Sequence, residues 1–365
     1  MKVLIIDTNP MIYDGIYSAI MNYVENLDKE KVEIDFVSIN RNVEKSIQEH
    51  IRELGSNLYM LNDRNTNTLL YVLRLAKLIR NQKYDLVHAH GSSCTLATEM
   101  LAAAFANTPC CPHSHSTSCQ HLKAHKLLKP IFRMLYKNGF ACGVEAGKWL
   151  YGNNKFVVLK NGINIEKYRY SCEKRKIFRE KYGIEENETV LIHIAHFTEV
   201  KNHKFLIDFY SKLLQRNKNY KLFLIGQGET KDSIRKMVEN SNIENKVIFV
   251  GITQNVSEFL SASDLMVLPS LYEGFPFTTV EAQASGIKCL VSDTVTPDCK
   301  MTDDFLFVPL DEDSWVDKIL ENSIPYNRED ACLKAQSSIT LAGYNISSNA
   351  KMLEECYEKF AKRQR

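Results

Sequence analysis

"DLMVLPSLYEGFPFTTVEAQASG", residues 264–286, packs a strand, a turn and a helix into one short segment. Leu265–Leu268 is a compact apolar run and reads as a buried strand. Pro269-Ser270-Leu271-Tyr272 leaves it, which places Glu273 at the strand's carboxyl end. Gly274-Phe275-Pro276 turns the chain. A helix is expected from about Thr279 to Ser285, with Gly286 capping its C-terminus. Free N–H groups at such a helix start form a site for phosphate. Glu273 and Glu281 flank that start, and carboxylates accept hydrogen bonds from sugar or ribose hydroxyls. The segment therefore suits a ligand that has both phosphate and sugar. Thr278-x-x-Glu281 also reads as a capping box, in which Glu281 holds its own helix end. Glu273 also reads as a solvated loop glutamate.

Outward from this segment, apolar runs alternate with helical periodicity almost end to end. Strands are expected at Val3–Ile6, Ile34–Val37, Leu86–Ala89, Val157–Leu159, Val190–Ile194, Leu222–Ile225, Val247–Val250 and Cys289–Ser292. Amphipathic helices at 16–27, 69–79, 205–214, 231–238 and 256–260 separate them. Such alternation implies parallel sheets covered on both faces. The 365 residues exceed one ordinary domain, so an α/β chain of two doubly wound, Rossmann-like domains is expected. The boundary falls near Asn161–Tyr170, where an Asn-Gly turn precedes a loss of periodicity. The expected division is 1–165, 166–344 and a C-terminal helix, 345–365, packing back toward the first domain. Ligands of open parallel sheets bind beyond the carboxyl ends of the strands. Two such domains facing each other across a cleft would gather their chemistry in the loops after strands.

Charge and composition narrow the classes. A formal net charge of +2 gives no reason to expect nucleic acid as a partner. Locally, no Asp or Glu occurs from Met100 to Val144, where Lys123, Lys126, Lys129, Arg133 and Lys137 fall. The first residues read as a strand rather than a signal peptide, and no apolar run reaches the ~18 residues of a membrane helix. Ten scattered cysteines lack the density of a disulfide scaffold, so a reduced, cytoplasmic protein is expected.

Four further loops follow strands. "AHFTEVKNHKFLI" places Lys201 before a helix, where a lysine can meet a diphosphate as a point charge, or stand solvated. "IGQGETK" offers Gly226-x-Gly228, open to a ligand's close approach or to an ordinary tight turn, and lacks the third glycine of a dinucleotide fingerprint. "TNPMIYDGIYSAIMNY" puts Gly15 at the start of the first helix. "CCPHSHSTSCQHLKAH" suggests zinc by composition, yet Cys110-Cys111 is adjacent and no second compact pair follows, so metal is not expected. His113 and His115 instead end a strand on one face, as His88 and His90 do in "LVHAHGS". They can serve as base or hydrogen-bond donor, or as structural histidines.

"PSLYEGFPFTTVEAQASG" resembles the E-x7-E signature of the family-4 retaining glycosyltransferases, whose fold is GT-B. "DGIYSAIMNYVENL", "YDLVHAHGS", "HSHSTS", "LKNGIN", "AHFTEVKNHKFLI", "VIFVGITQNVSEFLSASDLMVLPS" and "GIKCLVSD" follow in the family's order over nearly the whole chain. The resemblance is nearest to capsular and exopolysaccharide transferases. It implies a nucleotide-sugar donor, UDP favoured, and a glycan or lipid-linked acceptor in cell-surface polysaccharide synthesis. Glu281 would then hold the ribose, Glu273 the transferred sugar and Lys201 the diphosphate. Gly15 would lie near that diphosphate, and His115 would line the sugar site. His196, Gly226, Phe275, Pro276, Phe277 and Thr278 complete the donor candidates. His90, His113, Lys123, Lys126 and Arg133 are the acceptor-side or membrane candidates.

The chain departs from the family pattern at His196, where Arg is usual, and at Asp14-Gly15, where a double glycine is usual. Val144 stands for a usual Ser, and Lys160 for the Pro of Pro-Asn-Gly. His196 is expected to act as an imidazolium, so turnover is expected to fall at high pH. No cofactor is expected. Asp311-Glu312-Asp313 matches a metal-binding D-x-D in form but reads as the capped start of a helix around Trp315–Leu320. The basic segment "KAHKLLKPIFRMLYK", 123–137, suits the surface of an anionic membrane or a packed helix with a solvated basic face. Three other readings remain: a non-catalytic sugar-binding protein of this fold, a Rossmann-type oxidoreductase, and a zinc-binding module, which would want bound metal.

Overall fold

A computed structural model describes residues 1–12, 14–40, 42–323 and 326–362. The chain divides into two units, residues 1–162 with 343–365 and residues 163–342. In the first, strands β1 (Lys2–Asp7), β2 (Glu33–Ser38), β3 (Leu58–Met60), β4 (Leu86–His90), β5 (Cys110–Ser114), β6 (Phe140–Ala141) and β7 (Val157–Val158) form one parallel sheet. Its order is β3-β2-β1-β4-β5-β6-β7. In the second, β8 (Thr189–Ile194), β9 (Tyr220–Ile225), β10 (Val247–Gly251), β11 (Leu265–Leu268), β12 (Lys288–Ser292) and β13 (Phe305–Val308) are ordered β10-β9-β8-β11-β12-β13, again parallel.

The period-two geometry of a strand explains why these runs are apolar throughout. Val3 and Ile5 face one core, with the C-terminal helix; Leu4 and Ile6 face the other, with helices 68–82 and 97–105. Both sheets reverse their strand order once, between β1 and β4 and between β8 and β11. The loops at those reversals are where open α/β sheets hold ligands.

The helix Ile346–Lys362 belongs to the first unit and buries Leu353, Tyr357 and Phe360 in its core. Gly162 makes room for it: a Cβ there would lie 2.8 Å from the Ile346 backbone. Asn349 Nδ2 donates to the carbonyls of Lys160 and Gly343, each at 2.9 Å, and Glu354 accepts from the Asp28 N–H at 2.7 Å. Among the described residues, no helix is long and apolar enough to cross a membrane.

Candidate functional site

At the reversal of the second unit, three loops are tied together. The Leu271 N–H donates to the Val200 carbonyl at 2.8 Å, joining the loops after β8 and β11. Glu273 forms a backbone bridge with Val295 after β12, and Thr294 Oγ1 donates to the Ser270 carbonyl at 2.9 Å. This framework brings Lys201 to Glu273, and the two side chains form an ion pair. Ser270 Oγ donates to the same carboxylate oxygen at 3.0 Å. The lysine side chain is 25% exposed and the glutamate 12%, so the pair is held partly out of water yet open to a ligand.

The helix in the opening segment runs Phe277–Ala284, starting two residues earlier than the spacing predicts. Its N-cap is Pro276, and no side chain caps it. The capping-box reading is therefore overturned. Thr278 lies inside the first turn, where its hydroxyl cannot serve as the cap, and Glu281 is a full turn into the helix. Glu281 instead accepts a 2.7 Å hydrogen bond from Tyr168 Oη. Burial is the main force on this carboxyl and raises its pKa to about 7, against the lowering effects of Tyr168 and Lys167. The helix ends as the sequence predicts. Gly286 takes φ +68°, its N–H donates to the Gln283 carbonyl, and the Ile287 N–H donates to the Ala282 carbonyl.

Gly226 and Gly228 have a structural cause. A Cβ on Gly226 would lie 2.0 Å from the Ala195 carbonyl oxygen, and one on Gly228 would lie 2.4 Å from that of Phe197. What approaches these glycines closely is the loop after β8, which they seat. His196 in that loop is exposed, with Nδ1 3.2 Å from the Gln227 carbonyl; donation from Nδ1 leaves Nε2 toward solvent. The rings of Phe275 and Phe277 pack at a tilt, 5.0 Å between centroids and 57° between planes, beside half-buried Thr278. Beneath lie His193, bonded to the Val267 carbonyl at 2.8 Å, and His203, stacked on Phe197. Burial drives both imidazoles to low pKa, His193 to about 4 and His203 to about 2, so both are neutral at pH 7. Tyr168, Ser270, His193 and His203 were not singled out from the sequence.

The first unit fills its reversal differently. His88 and His90 on β4 and His113 and His115 at the end of β5 form a stack of imidazoles. His90 Nδ1 lies 2.8 Å from His115 Nε2, His88 Nε2 3.1 Å from His113 Nδ1, and His88 Nδ1 2.6 Å from Tyr357 Oη. Burial lowers the pKa of all four, His115 to about 4, so they stand neutral at pH 7. Asp7, at the end of β1 beside His90, is buried, and burial raises its carboxyl to about 7. Gly15 begins the helix Gly15–Asn26 in open space, but Asp14 already caps that helix, accepting from the N–H groups of Ile16 and Tyr17 at 2.9 and 2.8 Å.

Lys123, Lys126 and Arg133 lie on the helix Leu122–Leu135, which runs through Pro130. His125 and Phe132 anchor its inner side, while the outer side shows the three cations beside Leu127, Ile131 and Met134, all exposed. The D-x-D match is used up locally. Asp311 caps its helix through the Ser314 N–H at 2.8 Å, and Lys212 pairs with Glu312 and Asp313.

Two family models match the chain: glycosyl transferases group 1 over residues 174–323, and glycosyltransferase family 4 over residues 13–143. EpsF of Bacillus subtilis strain 168, a glycosyltransferase by name, is 33% identical over 297 residues, 77% of each chain. A UDP-Gal:alpha-D-GlcNAc-diphosphoundecaprenol alpha-1,3-galactosyltransferase of Escherichia coli is 25% identical over 309 residues, 78% of each chain. Among solved structures, a glycosyltransferase from Rickettsia africae superposes with a TM-score of 0.80 at 17% identity, covering 99% of this chain and 98% of that one. Anabaena HepE in complex with UDP gives 0.76 at 14% identity, covering 98% and 100%. The fold is the GT-B arrangement of two doubly wound sheets, and the chain belongs to glycosyltransferase family 4.

Proposed function

We propose that this glycosyltransferase moves a hexose from a UDP-sugar, with retention of configuration and without a required metal or cofactor, onto a glycan or lipid-linked saccharide. One observation carries the donor side. Lys201 and Glu273 meet at the reversal of the second sheet, on the segment that leads into a helix start no side chain caps. A cation beside free helix N–H groups suits a diphosphate. Glu281, in the same helix, suits the ribose diol, and Glu273 the hydroxyls of the sugar. Phe275, Pro276, Phe277 and Thr278 shape the turn that sets these carboxylates apart, and Gly226 seats the loop that carries His196 and leads to Lys201. His196 adds positive charge when protonated. In the first unit, Gly15 contributes room beside its helix start rather than a hydrogen bond, and His115 contacts the acceptor side. The named activity of the Escherichia coli relative and the UDP held by HepE support this choice of donor class.

Breaking the bond to diphosphate leaves a dianionic group and an oxocarbenium-like carbon. Lys201 and the N–H groups near Thr278 stabilise that leaving charge without reorganising, because Glu273 already holds the ammonium in place. Attack on the face that the diphosphate leaves gives retention, with the leaving phosphate taking the acceptor's proton. The outer side of helix 122–135, with Lys123, Lys126 and Arg133 beside exposed apolar side chains, suits an anionic membrane surface on which a lipid-linked acceptor would sit. A cytoplasmic enzyme peripheral to the plasma membrane fits that reading.

A thermal-shift screen with UDP, GDP, ADP, their sugars and NAD(H), repeated on Glu281→Ala, tests the donor assignment. UDP is expected to raise Tm in the wild type and not in the variant. A response to NAD(H) alone would overturn the assignment.

A further inference from the structure

The histidines of the first unit go beyond what the transfer reaction uses. β4 and β5 pair in parallel with His88 opposite Cys111 and His90 opposite His113. Strand alternation therefore puts His88, His90, His113 and His115 on one face of the sheet. There they line a pocket with Tyr357 and Asn161. Three of them, His88, His90 and His113, each offer a ring nitrogen, and these nitrogens lie within 4.8 Å of one another. His90 and His113 are 4% and 1% exposed, yet Nε2 of each is buried without a hydrogen-bond partner, as is Asn161 Oδ1. A buried imidazole nitrogen with nothing to bond is a costly arrangement that a ligand would relieve.

We propose that His88, His90 and His113 form a binding site for a divalent transition-metal ion of the zinc, cobalt and nickel class, with His115 in reach as a fourth ligand. The donor set selects the ion, because imidazole suits these metals whereas magnesium and calcium take oxygen ligands. Nitrogens at about 2.0–2.1 Å from a tetrahedral ion stand about 3.3 Å apart. His88 Nε2 and His113 Nδ1, at 3.1 Å, and His90 Nδ1 and His115 Nε2, at 2.8 Å, are near that spacing. Each pair shares a proton that an ion would displace, and the unpartnered Nε2 of His90 and His113 are further donors in the same cluster. His88 also has the outer support of a ligating histidine. Its Nδ1 lies 2.6 Å from Tyr357 Oη, which fixes the ring and leaves Nε2 for the ion. The site lies in the first unit, and of its residues the transfer proposed above calls on His115 alone. An ion there would tie His115 to the array, so it inhibits transfer. That consequence, unlike the binding itself, rests on the acceptor-side role given to His115.

Cobalt titrated into the full chain after chelator treatment tests the site. One Co²⁺ per chain is expected, with the intense visible bands of a four-coordinate nitrogen site, displaced by Zn²⁺. His113→Gln is expected to weaken binding at least roughly tenfold, and the exposed control His121→Gln to leave it unchanged. Because a substitution in a buried array can disturb folding, X-ray absorption of the wild-type zinc complex gives a second reading. A shell of three or four imidazole nitrogens supports the site; a shell containing sulfur places the ion on cysteines and overturns it. Cobalt that keeps its aqueous spectrum, or that binds equally to a folded His113→Gln protein, also overturns it. Metal binding that leaves turnover untouched upholds the site and removes His115 from the acceptor side.

Discussion

The two sheets share one plan, a parallel array with a single reversal of strand order, yet they fill the reversal with opposite chemistry. The second unit places a lysine–glutamate pair there and a helix start that no side chain caps. The first unit places four neutral imidazoles and a helix start already capped by Asp14. Topology supplies the position; side chains decide what charge the position tolerates. A diphosphate needs fixed positive charge and free N–H donors, and the second reversal offers both. Neutral rings suit the uncharged hydroxyls of an acceptor.

The sharpest way to break this contrast is to remove the cation. Lys201→Met is expected to lower kcat by about 10²–10³-fold, the usual loss when one preorganised stabilising group is deleted. His115→Gln is expected to leave UDP affinity unchanged while slowing transfer. If calorimetry shows that His115→Gln weakens UDP as much as Lys201→Met does, the division of labour between the reversals fails. Glu273→Gln adds a finer distinction. It frees Lys201 from its partner, so UDP should bind slightly tighter even as transfer falls.

A second prediction concerns what holds the charged reversal in shape. Arg328 is buried, and its guanidinium donates to the carbonyls of Leu260, Ser263 and Ser285 at the ends of helices 256–262 and 277–284. Arg328→Met leaves the Ser285 carbonyl without its donor and leaves the Leu260 and Ser263 carbonyls with only the Ser263 N–H and Arg175, at a cost of roughly 1–3 kcal/mol. The denaturation midpoint reads that loss. A shift below about 1 kcal/mol, the range of ordinary substitutions, would mean that the Glu281 helix is fixed by its apolar packing alone.

The charged reversal was largely legible in the sequence and the neutral one only in part. Lys201, Glu273 and Glu281 stand in loops and turns whose apolar flanks declare the strand before and the helix after. The structure adds why Glu281 is not spent on its own helix: the helix begins at Phe277, so Thr278 cannot cap it. No local pattern reports its partner Tyr168, which lies 113 residues away in sequence. The four histidines were visible as two strand ends, but their meeting depends on the pairing of β4 with β5, which periodicity does not encode. Helix 328–341 is not legible in the sequence because its buried side includes Arg328 and Gln336, polar residues that erase the apolar stripe. Strands β3 and β6 were too short to show alternation, and β13 was likewise not singled out.

The third prediction uses the raised carboxyl of Glu281. Between its unfolded value near 4.5 and its folded value of about 7, the folded chain holds a proton that the unfolded chain has released. Stability therefore falls as pH rises through that window and stays lower above it. Glu281→Gln has no such titration. Its Tm is expected to gain on the wild type from pH 4.5 to 7 and to hold that advantage at pH 8. UDP affinity should behave in the opposite sense. Wild-type affinity rises through pH 7 as the stronger acceptor, the carboxylate, forms, and the variant lacks this rise. The ligand's own phosphate titration is common to both proteins and cancels in the comparison. Parallel pH curves for the two proteins would remove Glu281 from the ribose.

The smallest effect addresses the capped helix of the first unit. Asp14→Ala removes the side chain that satisfies the N–H groups of Ile16 and Tyr17, and is expected to cost about 1 kcal/mol. It also opens a helix start next to Gly15, where a Cβ would meet nothing within 4 Å. If the first reversal were a phosphate site held shut by its own carboxylate, freeing those donors would tighten UDP markedly. The expected result is a small drop in Tm with UDP affinity nearly unchanged, because an open helix start without a nearby cation is a weak anion site compared with one that has Lys201 beside it. Tighter UDP binding in Asp14→Ala would show that the two reversals differ by one residue's occupancy rather than by their chemistry.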